Sequence, residues 1–221
     1  MKKYFNILVL VIASLFVFTT GVSAKSAATN LVEAVEEEIG YFGNQDNFEN
    51  ESTFLAYQEF VDKLKAADLS GYTESDDKVN VYIFRGKSCW HCLDEITWLA
   101  SNYADFKDVI NVRTYEVWNN KENNKLMNLV AKELGVKASG VPLTVVGKDT
   151  FSGFSEEIGT SIIEAAKKLK DSEEKYDIKN VINLEEVSSG ENKKSDATMI
   201  ILILVVLAGG IVFIYFISKS K

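Results

Sequence analysis

The segment Val79-Asn80-Val81-Tyr82-Ile83-Phe84-Arg85-Gly86-Lys87-Ser88-Cys89-Trp90-His91-Cys92 decides how the rest of the chain is read. Val79 to Phe84 is β-branched and aromatic, which predicts a strand. Arg85 to Ser88 reads as a tight turn. From Cys89 to Tyr103, Leu93, Ile96, Leu99 and Tyr103 share one face at helical spacing, which predicts a helix. The chain has two cysteines, one histidine and one proline, and three of these four lie in Cys89-Trp90-His91-Cys92. The only thiols are thus spent on a Cys-x-x-Cys at the start of a helix.

Downstream the alternation continues. Val112 to Trp118 reads as a strand, and Asn120 to Leu134 as a helix that Gly135 can end. Leu143 to Val146 is a short, buried-looking strand. Gly147-Lys148-Asp149 is a hairpin turn and Thr150 to Ser152 the return strand. Ser155 can cap a helix running to about Leu169, with Glu156 and Glu157 placed favourably against its dipole. The order β-α-β-α-β-β-α predicts an α/β fold, a central parallel-type sheet flanked by helices and closed by an antiparallel hairpin. Upstream, residues 25–77 form an acidic extension. A short helix is expected around 30–38, a loop over 44–52, and one helix over 53–67 from the spacing of Phe54, Tyr57, Val61 and Leu64. Trp98 and Trp118 read as core.

The ends of the chain are apolar. Met1-Lys2-Lys3, an apolar run of 12 residues from Ile7 to Phe18, and Val22-Ser23-Ala24 read as a secretory signal peptide over 1–24. Residues 199–217 form a 19-residue run without a charge, matching the ~20 residues of a spanning helix. Lys219 and Lys221 follow it, which favours a cytoplasmic tail over 218–221. Residues 171–197 are charged and read as a linker, within which Val181 to Leu184 can pack. The expected location is the cell membrane, single-pass, with the body between the apolar runs outside the cytoplasm. That body carries 32 acidic residues against 20 basic ones, hence −12. Such a charge excludes nucleic-acid binding by phosphate neutralisation.

The strand and helix around the dithiol, Gly140-Val141-Pro142 roughly fifty residues further on, and Gly153 after the hairpin together resemble the thioredoxin superfamily, over about residues 78–170. The resemblance implies a thiol–disulfide oxidoreductase that exchanges with protein thiols or disulfides and needs no cofactor or metal. Cys89 would attack from a helix N-terminus, where unpaired N–H groups and the dipole favour a thiolate. Cys92 would resolve the mixed disulfide. His91, with Lys87 and Arg85 nearby, would stabilise the Cys89 thiolate and make the disulfide more oxidising. Trp90 would be a contact surface. The Val141-Pro142 bond would be cis and face the dithiol, with Val141 pairing to a substrate strand. Histidine at 91 is similar to the oxidising members of the superfamily, whereas Trp90 matches neither the glycine nor the proline usual there. A multi-spanning membrane carrier of electrons could instead keep the dithiol reduced. Thioredoxin itself has a buried aspartate where this chain has Ile83.

Other readings of the same residues stand beside this one. A Cys-x-x-Cys bridge closes too short a loop to be a useful structural staple. Zinc needs four ligands and the chain offers too few. Covalent haem would need a histidine where Leu93 stands. Copper(I) on two thiolates, as in a metallochaperone, stays open, as does a tethered interaction module that uses the fold only to present a surface.

Overall fold

The structure, a computed structural model, describes residues 28–173 and 175–183. The expected signal peptide and membrane span lie outside these residues. Among the described residues no helix is long and apolar enough to cross a membrane.

Four strands make one mixed sheet in the order β2-β1-β3-β4. Their ranges are β1 Val79–Arg85, β2 Ile110–Glu116, β3 Leu143–Val146 and β4 Asp149–Ser152. β1 and β2 are parallel, Val79 opposite Ile110 and Arg85 opposite Glu116. β3 runs antiparallel to β1, with Ile83 opposite Thr144, and the β3–β4 hairpin turns at Gly147, which has φ +60°. The sheet is therefore mixed, with one parallel pair and two antiparallel pairs. The connection over 134–142, which ends in Pro142, lets β3 enter from the opposite end of the sheet.

Among the described residues six α-helices flank it: α1 Leu31–Phe42, α2 Glu51–Ala56, α3 Gln58–Ala66, α4 Trp90–Ser101, α5 Lys121–Glu133 and α6 Glu156–Lys170. Successive strand residues face opposite sides, so β1 feeds two cores. Val79, Val81 and Ile83 meet Leu31 and Val35 of α1, Val61 and Leu64 of α3, Leu93 and Ile96 of α4 and Ile162 of α6. Tyr82 and Phe84 meet Leu126 and Val130 of α5, together with Leu143, Val145 and Ile178. Both faces of the central strand are thus dry, as a sheet covered on two sides requires.

Local chemistry sets the helix ends. Asn30 and Glu33 form a reciprocal capping box on α1. Asn120 accepts from the N–H groups of Glu122 and Asn123. Gly135, at φ +70°, ends α5, and the Val136 N–H donates to the Ala131 carbonyl at 2.8 Å. Ser155 caps α6, which has Glu156 and Glu157 in its first turn and Lys167, Lys168 and Lys170 in its last.

Several expectations in the N-terminal part are corrected. The helix expected over 30–38 continues to Phe42, and part of the loop expected over 44–52 is a 3₁₀ turn at Gln45–Asn47. The single helix expected over 53–67 is two, α2 and α3, broken at Tyr57. Tyr57 packs its ring 4.8 Å from Phe42 and 5.5 Å from Phe48. At the break the Gln58 side-chain amide donates to the carbonyls of Phe42 and Phe54, each at 3.1 Å. Aromatic packing between segments overrides the local helical period here, and one side chain bonds a carbonyl at the break and another at the end of α1. Within the expected linker, Asp177 accepts from Asn80 and from the Tyr82 hydroxyl, each at 2.7 Å, and Ile178 is buried. Burial and the Asp177 carboxylate both push the Tyr82 phenol up.

Candidate functional site

β1 delivers the chain to one end of the sheet, and Gly86 to Ser88 turn it into α4, with Cys89 as the N-cap. Cys89 and Cys92 are joined as a disulfide. The Cys92 N–H donates to Cys89 Sγ at 3.2 Å, and Leu93 N–H to the Cys89 carbonyl at 3.0 Å. One of the donors that every helix N-terminus leaves unpaired is therefore aimed at a sulfur. Cys89 is 6 % exposed and Cys92 fully buried, so an incoming group can reach only the first sulfur.

The Val141–Pro142 peptide bond is cis, and the Val141 carbonyl oxygen lies 3.7 Å from Cys89 Sγ. Gly153, at φ +74°, donates its N–H to the Pro142 carbonyl at 2.9 Å and ties this loop to the end of β4. Two segments some fifty residues apart in sequence thus meet at one sulfur. Trp90 is 49 % exposed and its ring lies tilted against that of His91, centroids 3.7 Å apart. His91 Nδ1 is buried without a partner. One turn along α4, burial raises the Asp94 carboxyl, Glu156 adds to the rise, and His91 and Lys63 oppose it.

Two cations expected beside the thiolate lie elsewhere. Arg85 is 1 % exposed and fully engaged: Nε donates to Thr114 Oγ1 at 3.0 Å, Nη1 to Glu38 Oε1 at 2.9 Å, and Nη2 to Glu37 Oε2. Lys87 places its ammonium 5.7 Å from the centre of the Tyr41 ring. Both turn toward α1, because a buried guanidinium needs carboxylates and α1 supplies two. Trp118 is likewise not core. It is 54 % exposed, and its ring covers Gly86, where an added Cβ would come within 2.5 Å of three ring atoms. Trp118 therefore lies on the surface, over the turn that leads to Cys89. Glu116 holds this arrangement, accepting the backbone N–H groups of Lys87, Trp118 and Asn119.

A residue outside the sequence reading completes the site. Glu95, one turn after Cys92, is fully buried. Its Oε1 accepts from the Thr144 hydroxyl at 2.6 Å, while Oε2 has no partner. Thr144 is two residues after Pro142 and opposite Ile83. Burial, helped by Asp94 and opposed by the Thr144 bond, pushes the Glu95 carboxyl up to about 8. β1 is apolar at Ile83, opposite Thr144, yet a buried acid reaches this part of the sheet from the helix. A polar pair, Glu95 and Thr144, set among apolar neighbours on two elements is the signal the sequence carries.

The fold and site define an α/β protein with a mixed four-stranded sheet, whose disulfide lies between a helix N-terminus and a cis-proline loop. Comparison with protein-family models, with curated proteins and with solved structures finds no match for this chain.

Proposed function

We propose that this chain is a thiol–disulfide oxidoreductase of thioredoxin-like fold, exported and held at the membrane by a C-terminal span. The observation that carries the reading is the placement of Cys89 Sγ, which accepts the Cys92 N–H and lies against the Val141 carbonyl beside a cis proline. A helix N-terminus lowers the pKa of a thiol placed there, and the thiolate is the attacking species.

In the reducing direction, the Cys89 thiolate attacks a substrate disulfide and one substrate sulfur leaves as a thiolate. The Cys92 thiol then loses its proton and attacks Cys89 Sγ. This closes the 89–92 disulfide, releases the second substrate sulfur, and passes two electrons to the substrate. In the oxidising direction a substrate dithiol gives the two electrons back. His91 beside the pair favours oxidation or isomerisation, since it stabilises the anionic Cys89 of the reduced form. Trp90, Val141 and Pro142 form the docking surface. With no third cysteine in the sequence to relay electrons, the pair trades them directly with another molecule; a multi-spanning membrane carrier is the partner that could instead keep the dithiol reduced.

The test is the full-length Cys92→Ser chain, in which a mixed disulfide formed at Cys89 cannot be resolved. It should accumulate covalent complexes with protein substrates that a reductant releases, and Cys89→Ser should accumulate none. The reduction potential sets the direction: a value near about −120 mV marks an oxidase and one near about −270 mV a reductase. If the pair does not exchange with glutathione at all, the redox reading is wrong. Copper(I) binding without exchange would move the function to metal transfer.

A further inference from the structure

A cleft of about 520 Å³ opens between α1 and the ends of β1 and β2, beside the loop that leads to Cys89. Glu37, Glu38, Tyr41, Arg85, Lys87 and Glu116 line it. Three carboxylates against two cations leave it an acidic excess, and the two cations are already satisfied. Arg85 is bonded by Glu37, Glu38 and Thr114, and Lys87 rests over Tyr41. Glu116 spends its carboxylate on three backbone donors.

Glu38 is different. It lines the cleft and is 1 % exposed, yet its Oε2 accepts no hydrogen bond. An unpaired buried carboxylate oxygen is costly, and a donor at the base of the cleft would remove that cost once a small shift of the Glu38 side chain brings Oε2 to it. Arg85 and Cys89 are four residues apart in one segment. Even fully extended, such a segment spans at most ~14 Å, so a group held in the cleft lies a few residues from a sulfur bound at Cys89.

We propose that this cleft is a recognition site for a cationic side chain, a lysine or arginine within about four residues of the reacting cysteine of a protein substrate. Its ammonium or guanidinium donates to Glu38 Oε2, and the acidic excess of the lining favours a positive charge over a neutral donor. The overall −12 of the body, 32 acidic residues against 20 basic, steers basic partners to the surface, and the cleft places one cation next to the reaction. Burial, the largest influence, pushes the Glu38 carboxyl up to about 7. Glu37 and Glu116 add to the rise, and Arg85 opposes it. Below that pH Glu38 is neutral, so recognition strengthens as the pH rises through about 7.

This inference rests on the redox reading, and the experiment separates the two. The full-length protein is given matched peptides whose single cysteine is disulfide-linked to glutathione, with lysine, norleucine or glutamate nearby. The kcat/KM for the lysine peptide should exceed that for the norleucine peptide about tenfold, the scale of one hydrogen bond to a charged group. The glutamate peptide should be slowest. In Glu38→Gln the lysine-to-norleucine ratio should fall toward one. Because that change breaks the buried Glu38–Arg85 pair, the second variant is Glu37→Gln, which removes the half-exposed charge, leaves Glu38 bonded to Arg85 and should also lower the ratio.

Equal rates for lysine and norleucine, or a lysine preference untouched in both variants, would overturn the cleft. The second result would assign the preference to the general field of the body. If none of the peptides exchanges, the redox reading fails. The cleft is then decided by calorimetric binding of the same peptides with serine in place of cysteine, where loss of the lysine preference overturns it.

Discussion

Glu95 keeps a carboxyl out of water with one hydroxyl for company, and the chain gives up stability to keep it there. Its carboxyl, pushed up to about 8, stays protonated in the folded protein at pH values where the unfolded chain, near 4.5, has already ionised. The contribution of Glu95 to folding is therefore full below about 4.5, declines as the pH rises, and is gone once the pH passes about 8. Glu95→Gln removes this titration while keeping the shape and the bond to Thr144. Urea midpoints measured across the pH range should show the variant close to the parent in acid. Above pH 8 it should be more stable by an amount on the order of a few kcal/mol. Parallel stability curves would show that Glu95 is ionised or solvated at neutral pH. The same acid sits one turn from Cys92, whose proton would have to leave first in the exchange proposed above. If Glu95 receives that proton, the pH–rate profile of exchange loses an inflection near 8 in the variant. A purely structural role would leave the profile in place.

At the scale of elements, the sequence was legible wherever one local rule acted alone. Leu143 to Val146 is four apolar or β-branched residues ended by a hairpin turn, and the strand has those bounds. Asn120, Ser155 and Gly135 mark helix ends through their own side chains or backbone, so they could be read without knowing any tertiary contact. Tyr57 could not. Its helix break depends on the rings of Phe42 and Phe48, which come from another segment. Trp118 was misread because apolar character does not say which face of a strand end is covered, and this ring lies on Gly86 at the surface. Arg85 was misread because its acidic partners lie on α1, about 47 residues upstream. The cap on α5 gives a clean test of the local rule. Asn120→Ala removes the acceptor for the Glu122 and Asn123 N–H groups and should cost about 1 kcal/mol, whereas Asn120→Gly should cost only a few tenths. No loss in Asn120→Ala by chemical denaturation would mean that the bonds are not what holds that end.

For the whole molecule, the region before β1 is not an appendage to the sheet. α1 contributes Leu31, Ala34, Val35 and Phe42 to the larger core and Glu38 to Arg85, and Thr29 pairs with Thr114 on β2. Tyr72 and Ser75 bond β2 residues Val112 and Asn111, so the outer edge of the sheet is covered by the same segment. An open edge is a template for aggregation, and here the extension removes most of it. The far end of the described chain does the same for the smaller core, where Ile178 is buried and Asp177 fastens it to β1. Residues 28–77 and 175–183 should then unfold together with the sheet. Leu31→Ala and Ile178→Ala, at buried positions on opposite faces, should each cost about 2–5 kcal/mol. Each should lower one transition, coincident by far-UV circular dichroism and by tryptophan fluorescence. Trp98 reports on the larger core, where it packs on Phe106 and Phe154. A separate early transition in Leu31→Ala, with Trp98 fluorescence still native, would show that the extension melts alone. The ion pair that orients Arg85 would then be lost before the dithiol region itself unfolds.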